Sequence, residues 1–341
     1  MPTKGSGTPF DPLRLVREYD LYDRNVDVVS AYQWLFTQTS DLPATVEHFE
    51  RYPKVEHPDG TTITPDFTIL FRDGTGIAAE IANIPLRDEG VDKLCRQLSR
   101  YADLRALPDA RQGQSPVTVL DVMYLAPMDI AEDAVQRVLV ERLDEPSHFY
   151  KPVRRPVVVQ FTRTSEKYIF QMWPDSVTNG SLHTGNRSPN YASFSTLNIK
   201  PHCFASVKIQ HAFMNDPISP LYLATRLWAS TFPTQFGGGT VEFDVTTQGI
   251  VSTLRQQYGV SRADDVRRAM SILVAAGLAT ERTGNKWTVN RRLLRKANSD
   301  IHRLIADRIG IDKSRPTQRS GRRQQRRFDP GPGQATLFDI S

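Results

Sequence analysis

Thr64-Pro65-Asp66-Phe67-Thr68-Ile69-Leu70-Phe71, a turn, and then Gly76-Ile77-Ala78-Ala79-Glu80-Ile81-Ala82-Asn83 is the stretch that orders the rest of the chain. Two apolar, β-branched runs joined by a short Gly-containing connection read as a β-hairpin with one carboxylate on each strand. With a three-residue loop, and Gly74 or Gly76 in the left-handed region, opposed residue numbers sum to an even value. Asp66 and Glu80 then project from one face, because side chains alternate along a strand. Such a pair suits a divalent ion. Mg2+, or Mn2+ in its place, takes hard oxygen ligands and is commonly held by one or two carboxylates plus substrate phosphate. Phosphodiester hydrolysis is the chemistry this points to. The competing reading is a half-buried hairpin whose acids sit on a solvated rim.

Beyond the hairpin, Gly90 to Tyr101 has helical spacing, and Lys93, Gln97 and Tyr101 lie at i, i+4, i+8 in one stripe. The segment resembles the PD-(D/E)XK nuclease superfamily, in which Pro-Asp opens one strand and Glu-X-Lys lies on the next. Pro65-Asp66 and Glu80-Ile81-Ala82 match two of the three elements, with Ala82 in the place of the lysine. Gln97-X-X-X-Tyr101 is similar to the motif of the RecB-like branch of that superfamily. The resemblance implies Asp66 and Glu80 as metal ligands, Lys93 reaching in from the helix where Ala82 cannot, Gln97 orienting a ligand or phosphate, and Tyr101 bracing the helix. It also implies a further acid from a preceding helix. Asp27 is the nearest candidate, with Glu47 and Glu50 as rivals on a segment whose alternation reads as an edge strand.

At 341 residues the chain exceeds the size at which one hydrophobic core stops growing, so two or more domains are expected. No apolar run approaches the roughly 20 residues of a membrane helix, Met1 to Ser6 lacks a signal-peptide segment, and Cys95 and Cys203 have no metal-ligand spacing. A cytoplasmic, nucleoid-associated protein with no membrane partner is the expectation. Residues 1–24 read as a leader. Asn25 to Thr37 reads as the first helix, Val117 to Leu125 as a buried strand in mid-sheet, and Asp129 to Leu143 as a helix. Residues 25–150 thus form a nuclease-like unit with the αβββαβ order that the resemblance implies. Residues 151–218, with strands at Pro156–Phe161 and Lys167–Trp173, read as a β-rich connector.

Residues 219–296 read as a second module. Leu221 to Phe232 is helical, Val241 to Val245 a short strand, Thr246 to Tyr258 a helix capped by Thr246 or Thr247, and Arg262 to Ala276 a helix capped by Ser261. A hairpin with Gly284-Asn285 at its tip follows. This order resembles a winged helix, and the resemblance implies DNA contacts from Arg262, Arg267, Arg268 and Lys286. Winged helices also serve as protein-docking modules. Nuclease followed by winged helix is similar to the endonuclease subunit of heteromeric transposases, a TnsA-like arrangement.

Charge is uneven along the chain. Residues 261–341 hold 18 Lys and Arg against 8 Asp and Glu, which leaves 25 against 30 for residues 1–260. The basic end is the one that seeks a polyanion. Within residues 297–333, which read as a helix and a disordered basic tail, Lys313 to Arg327 carries seven cations and no acid. Arg322, Arg323, Arg326 and Arg327 are its densest group and candidate phosphate contacts. Gln334 to Asp339 is similar to the Gln-X-X-Leu-Phe peptide with which bacterial proteins bind the replicative sliding clamp. Gln334, Leu337 and Phe338 would be the anchors there.

The expected architecture is therefore α/β: a restriction-endonuclease-like αβββαβ core, a winged-helix domain and a disordered basic tail. The expected activity is metal-dependent DNA cutting in replication, repair, transposition or phage-related processing. The alternative is a non-catalytic winged-helix adaptor built on a pseudonuclease fold. Oligomeric state is not legible.

Overall fold

The computed structural model describes residues 10–39, 45–82, 87–173, 196–214, 217–235, 241–259, 262–283, 285–290 and 300–310. The first helix, α1 (Pro12–Gln38), is 27 residues long, and Asp11 caps it by accepting a hydrogen bond from the Leu13 N–H. It starts at Pro12, not Asn25. Asp11-Pro12 pairs a good N-cap with a proline whose fixed φ suits the first helical position. Residues 12–24 are thus helix, not leader.

Eleven strands follow with their helices: β1 (Val46–Arg51), β2 (Val55–Glu56), β3 (Thr62–Ile63), β4 (Phe67–Phe71), β5 (Thr75–Ile81), α2 (Asp88–Ala102), β6 (Ala106–Pro108), β7 (Gln114–Pro116), β8 (Val119–Pro127), α3 (Met128–Val135, continued with wider turns to Leu143), β9 (Val157–Arg163), β10 (Tyr168–Met172) and β11 (Thr196–Ile199). Seven of them make one mixed sheet in the order β1-β4-β5-β8-β9-β10-β11. β5, β8 and β9 run parallel, and the other neighbours are antiparallel. β8 lies in mid-sheet and β1 at an edge, as their burial patterns foretell. Strands β9 to β11 complete this same sheet. The segment expected as a connector therefore belongs to the fold it was expected to join.

Each face of the sheet carries its own apolar layer. Val28, Val29, Tyr32, Leu35 and Phe36 of α1 pack with Phe67, Ile69, Ile77 and Met123 on one side. Leu94, Cys95, Leu98 and Tyr101 of α2 pack with Leu70, Ala78, Val122 and Tyr124 on the other, together with Ala134 and Val138 of α3. The alternation of Ile69 and Leu70 between layers is the period-two pattern of a strand buried on both faces.

The remainder comprises α4 (Ala205–Gln210), α5 (Pro220–Arg226, continued to Thr231), β12 (Glu242–Thr246), α6 (Thr247–Tyr258), α7 (Ala263–Ala275), β13 (Ala279–Arg282), β14 (Lys286–Asn290) and α8 (Ile301–Gly310). β12 pairs with β14, and β14 with β13, all antiparallel. Thr246 caps α6 through the Gly249 N–H at 3.0 Å. The N-cap of α7 is Arg262, with no side-chain cap bond, one residue after the expected Ser261; Ser261 and Gly284 lie outside the described residues. Leu15, Tyr22 and Val26 of α1 share one core with Leu221, Ile250, Met270, Val289 and Ile305. One long helix thus serves both the sheet and the helical region, so the expected boundary at residue 24 cuts through a continuous element.

Candidate functional site

The β4–β5 turn is the three-residue loop Arg72-Asp73-Gly74. Gly74 has φ 79°, and its N–H bonds the Phe71 carbonyl at 3.0 Å. Asp73 holds the turn from inside by accepting from the Thr75 N–H at 3.2 Å. Gly76 serves packing instead, since a Cβ there would run into the Leu107 side chain. Phe67 opposes Ala79, and the N–H of Asp66 bonds the carbonyl of that same Ala79 at 2.9 Å, so the ladder is irregular where Asp66 joins it. Glu80 shares the parity of Ala78, which faces the α2 layer, and Asp66 lies close enough to α2 for its charge to act on Tyr101.

Asp66 is 8% exposed, and its Oδ2 accepts a hydrogen bond from the Ile81 N–H at 2.6 Å. Glu80 is half-buried, and its Oε2 accepts from the Tyr101 hydroxyl at 2.7 Å. The Gln97 Nε2 donates in turn to the Tyr101 oxygen at 2.7 Å, and the Thr64 carbonyl lies 3.3 Å from the same oxygen. Burial, and then the charge of Glu80, push the Tyr101 pKa upward, so the phenol stays a donor. The Gln97 and Tyr101 pair thus leads directly to the Glu80 carboxylate.

Lys93 is exposed and lines a cleft of about 350 Å³ with Gln97, Tyr101, Thr62, Ile63 and Thr64. Two further residues of this cleft, Arg96 and Arg100, escaped the sequence reading. Their signal was present in the i+3 and i+7 spacing from Lys93, which puts them on one helix face. Ala82 packs against the apolar layer beneath α2.

Asp27 is not part of the site. It is on α1, whose apolar side covers the other face of the sheet, and it accepts from the Tyr168 hydroxyl at 2.7 Å and pairs with Lys208 at 2.5 Å. Burial raises its pKa against the pull of Lys208. Glu47 is exposed on the edge strand β1. Glu50 shares the Asp66 face by register, opposite Thr68, with His48 at 3.3 Å. Among the described residues no group of three or more His, Cys, Asp and Glu is gathered for a metal ion.

On α7, Arg267 pairs with Asp264 and Arg268 with Asp265, each three residues earlier. Arg268 also lines a cavity of about 610 Å³ with Asp11, the cap of α1, and with Arg14 and Glu18 of that helix. Arg262 and Lys286 are exposed. Arg322, Arg323, Arg326, Arg327, Gln334, Leu337 and Phe338 lie outside the described residues. Among the described residues no helix is long and apolar enough to cross a membrane. Comparison with family models, with curated proteins and with solved structures finds no match.

Proposed function

We propose that this protein is a metal-dependent DNA endonuclease, or a degenerate relative of one, whose site is the Asp66 and Glu80 pair. The observation that carries the reading is the pair of bonds that fix these two carboxylates beside α2: the Ile81 N–H on Asp66, and on Glu80 the Tyr101 hydroxyl, itself held by Gln97. The donor set fits Mg2+ or Mn2+: two hard carboxylates, each with one oxygen fixed by a protein donor, as ligating groups commonly are. Asp66 and Glu80 would hold the ion, which when bound polarises a phosphoryl oxygen and acidifies a water. Lys93 would meet the phosphate from the cleft, Gln97 and Tyr101 keep Glu80 in place, and the backbone N–H of Ile81 keeps Asp66 in place.

The element order helix, three antiparallel strands, helix, parallel strand in α1, β1, β4, β5, α2 and β8 supports a restriction-endonuclease-like core. The order α5, β12, α6, α7, β13, β14, with β12 on β14, supports a winged helix. DNA as the partner of this module and of the basic tail, and the sliding clamp as the partner of Gln334, Leu337 and Phe338, belong to the same proposal. A TnsA-like role in transposition is one setting for it. The packed Ala82 methyl favours a second reading, a DNA-binding adaptor that has lost cutting.

Incubating the full-length protein with plasmid, single-stranded and branched DNA in Mg2+ or Mn2+ tests this. Metal-dependent cutting that drops at least about a hundredfold in Asp66→Ala is the expected result, given the several kcal/mol a catalytic ion contributes. Binding without cutting of any substrate overturns it in favour of the adaptor.

A further inference from the structure

The outer face of α2 has a property that the carboxylate pair does not explain. Lys93, Arg96 and Arg100 all line the 350 Å³ cleft, and among the described residues no acid lines it with them. Arg100 bonds the Thr61 hydroxyl at 2.5 Å, which holds its guanidinium at the rim. Among the described residues Lys93 and Arg96 have no ion-pair or hydrogen-bond partner; Arg96 lies only over the Phe149 ring, 5.5 Å from its centroid. Elsewhere several arginines meet carboxylates: Arg142 meets Asp88 and Asp92, Arg154 meets Asp121, and Arg155 meets Asp144. Within α2 itself Asp88 and Asp92, in one stripe with Arg96, are the acids that Arg142 takes up. Other cations among the described residues also lack a carboxylate, Arg51 and Arg72 among them, but here three gather at one concavity, and that concentrates positive potential there.

Phe149 lies just outside the cleft lining, beneath Arg96. It is 49% exposed, an unusual position for so large an apolar ring, and His148 lies against it with centroids 4.2 Å apart. Cationic grooves flanked by exposed aromatic rings are the arrangement that holds single-stranded nucleic acid, the charges taking phosphates and the ring taking a base. A cleft of 350 Å³ is at the small end for ligand pockets, roughly the size for one nucleotide. A duplex, whose major groove alone is about 12 Å wide, would lie across its mouth.

We infer that this cleft anchors one unpaired nucleic-acid strand, with Lys93, Arg96 and Arg100 on its phosphates and Phe149 under a base, and delivers it toward Asp66 and Glu80. Delivery to that pair rests on the proposed nuclease reading, whereas binding rests on the cleft alone. The substrate class is therefore single-stranded or frayed DNA, not intact duplex.

The test is fluorescence anisotropy with the full-length protein, a labelled oligothymidylate and a duplex of equal length, in EDTA so that no cutting or metal contributes. Lys93→Ala/Arg96→Ala is expected to weaken single-strand binding at least about tenfold and to flatten its log–log salt slope by about 1.4, two phosphate contacts at about 0.7 each. Phe149→Ala is expected to weaken single-strand binding about tenfold, within the range for one stacked base, and to leave duplex binding unchanged. Lys93→Gln/Arg96→Gln repeats the first measurement if the alanine variant melts early. Wild-type affinity in both the charge and the ring variants overturns the inference, as does an equal loss for duplex and single strand. Because the measurement needs no catalysis, its failure is separable from that of the nuclease reading, which is decided by the Asp66→Ala cutting assay.

Discussion

The arginines that α2 and α7 present to solvent are in opposite electrostatic states. On α7, Arg267 and Arg268 are held by Asp264 and Asp265 in the same helical turn. On α2, the acids Asp88 and Asp92 are drawn away to Arg142 on α3, while Lys93 and Arg96 have no carboxylate partner among the described residues. Residue type alone ranks α7 as the nucleic-acid helix, since it belongs to the more basic part of the chain. Pairing reverses the ranking. A guanidinium already neutralised by a neighbour has less to offer a phosphate, because the pair must be broken first, whereas an unpaired cation in a cleft gains a partner at once.

The largest test of that contrast falls on the α2 side. Tyr101→Phe removes the donor to Glu80 and the acceptor for Gln97 while leaving the buried ring in its layer. Loss of a group that orients a metal ligand commonly costs 10- to 100-fold. Metal-dependent cutting by Tyr101→Phe should fall by about that factor, with a raised requirement for Mg2+ in a titration at fixed DNA. Paired substitutions on α7 should leave the cutting rate constant at saturating DNA untouched. Equal effects from the two helices would erase the distinction.

Legibility followed the range of the forces involved. The hairpin and its even register from Phe67 to Leu70 were readable because a turn glycine and a period of two are local. So were Gln97 and Tyr101 on one stripe of α2, although the Tyr101 bond to Glu80 spans 21 residues and only the fold makes it. The start of α1 was not readable. Leu15, Tyr22 and Val26 are too sparse to mark a stripe alone, and what buries them is a core built from residues beyond 210. The parallel pairing of β9 with β8 was equally hidden, since nothing in Val157 to Phe161 states which strand it will join. Arg96 and Arg100 carried no motif, and their meaning came from the cleft they line and the lack of acids among its described residues.

A second test asks what pairing is worth when it is buried. Asp121 is 1% exposed and meets Arg154 at 2.9 Å, yet burial outweighs that attraction and raises its pKa to about 6. The folded protein therefore binds a proton here that the unfolded chain, at its ordinary value of 3.8, has released. Stability from this group is present below about pH 4 and is lost as pH rises through 6, with a difference of about 3 kcal/mol. Asp121→Asn should melt higher than wild type at pH 8, and the gap should close by pH 4. A variant less stable at both values would mean that the Arg154 pair outweighs the burial, and that pairing is worth as much inside this fold as at its surface.

The smallest expected effect is on α7, and it decides whether pairing is the cause. Asp264→Asn/Asp265→Asn keeps side-chain size but removes the negative charges that hold Arg267 and Arg268. Asp264 is exposed, whereas Asp265 is buried and its loss is the riskier one for folding, so Asp264→Asn alone serves as the milder variant. Losing acids from the first turn costs the helix a few tenths of a kcal/mol through its dipole, and the released arginines become available to phosphate. Duplex affinity should rise about threefold to tenfold, with a salt slope steeper by about one for each phosphate newly met. An unchanged slope would mean that the paired arginines were never masked, and that α2 and α7 differ in where they face and not in whether their charge is spoken for.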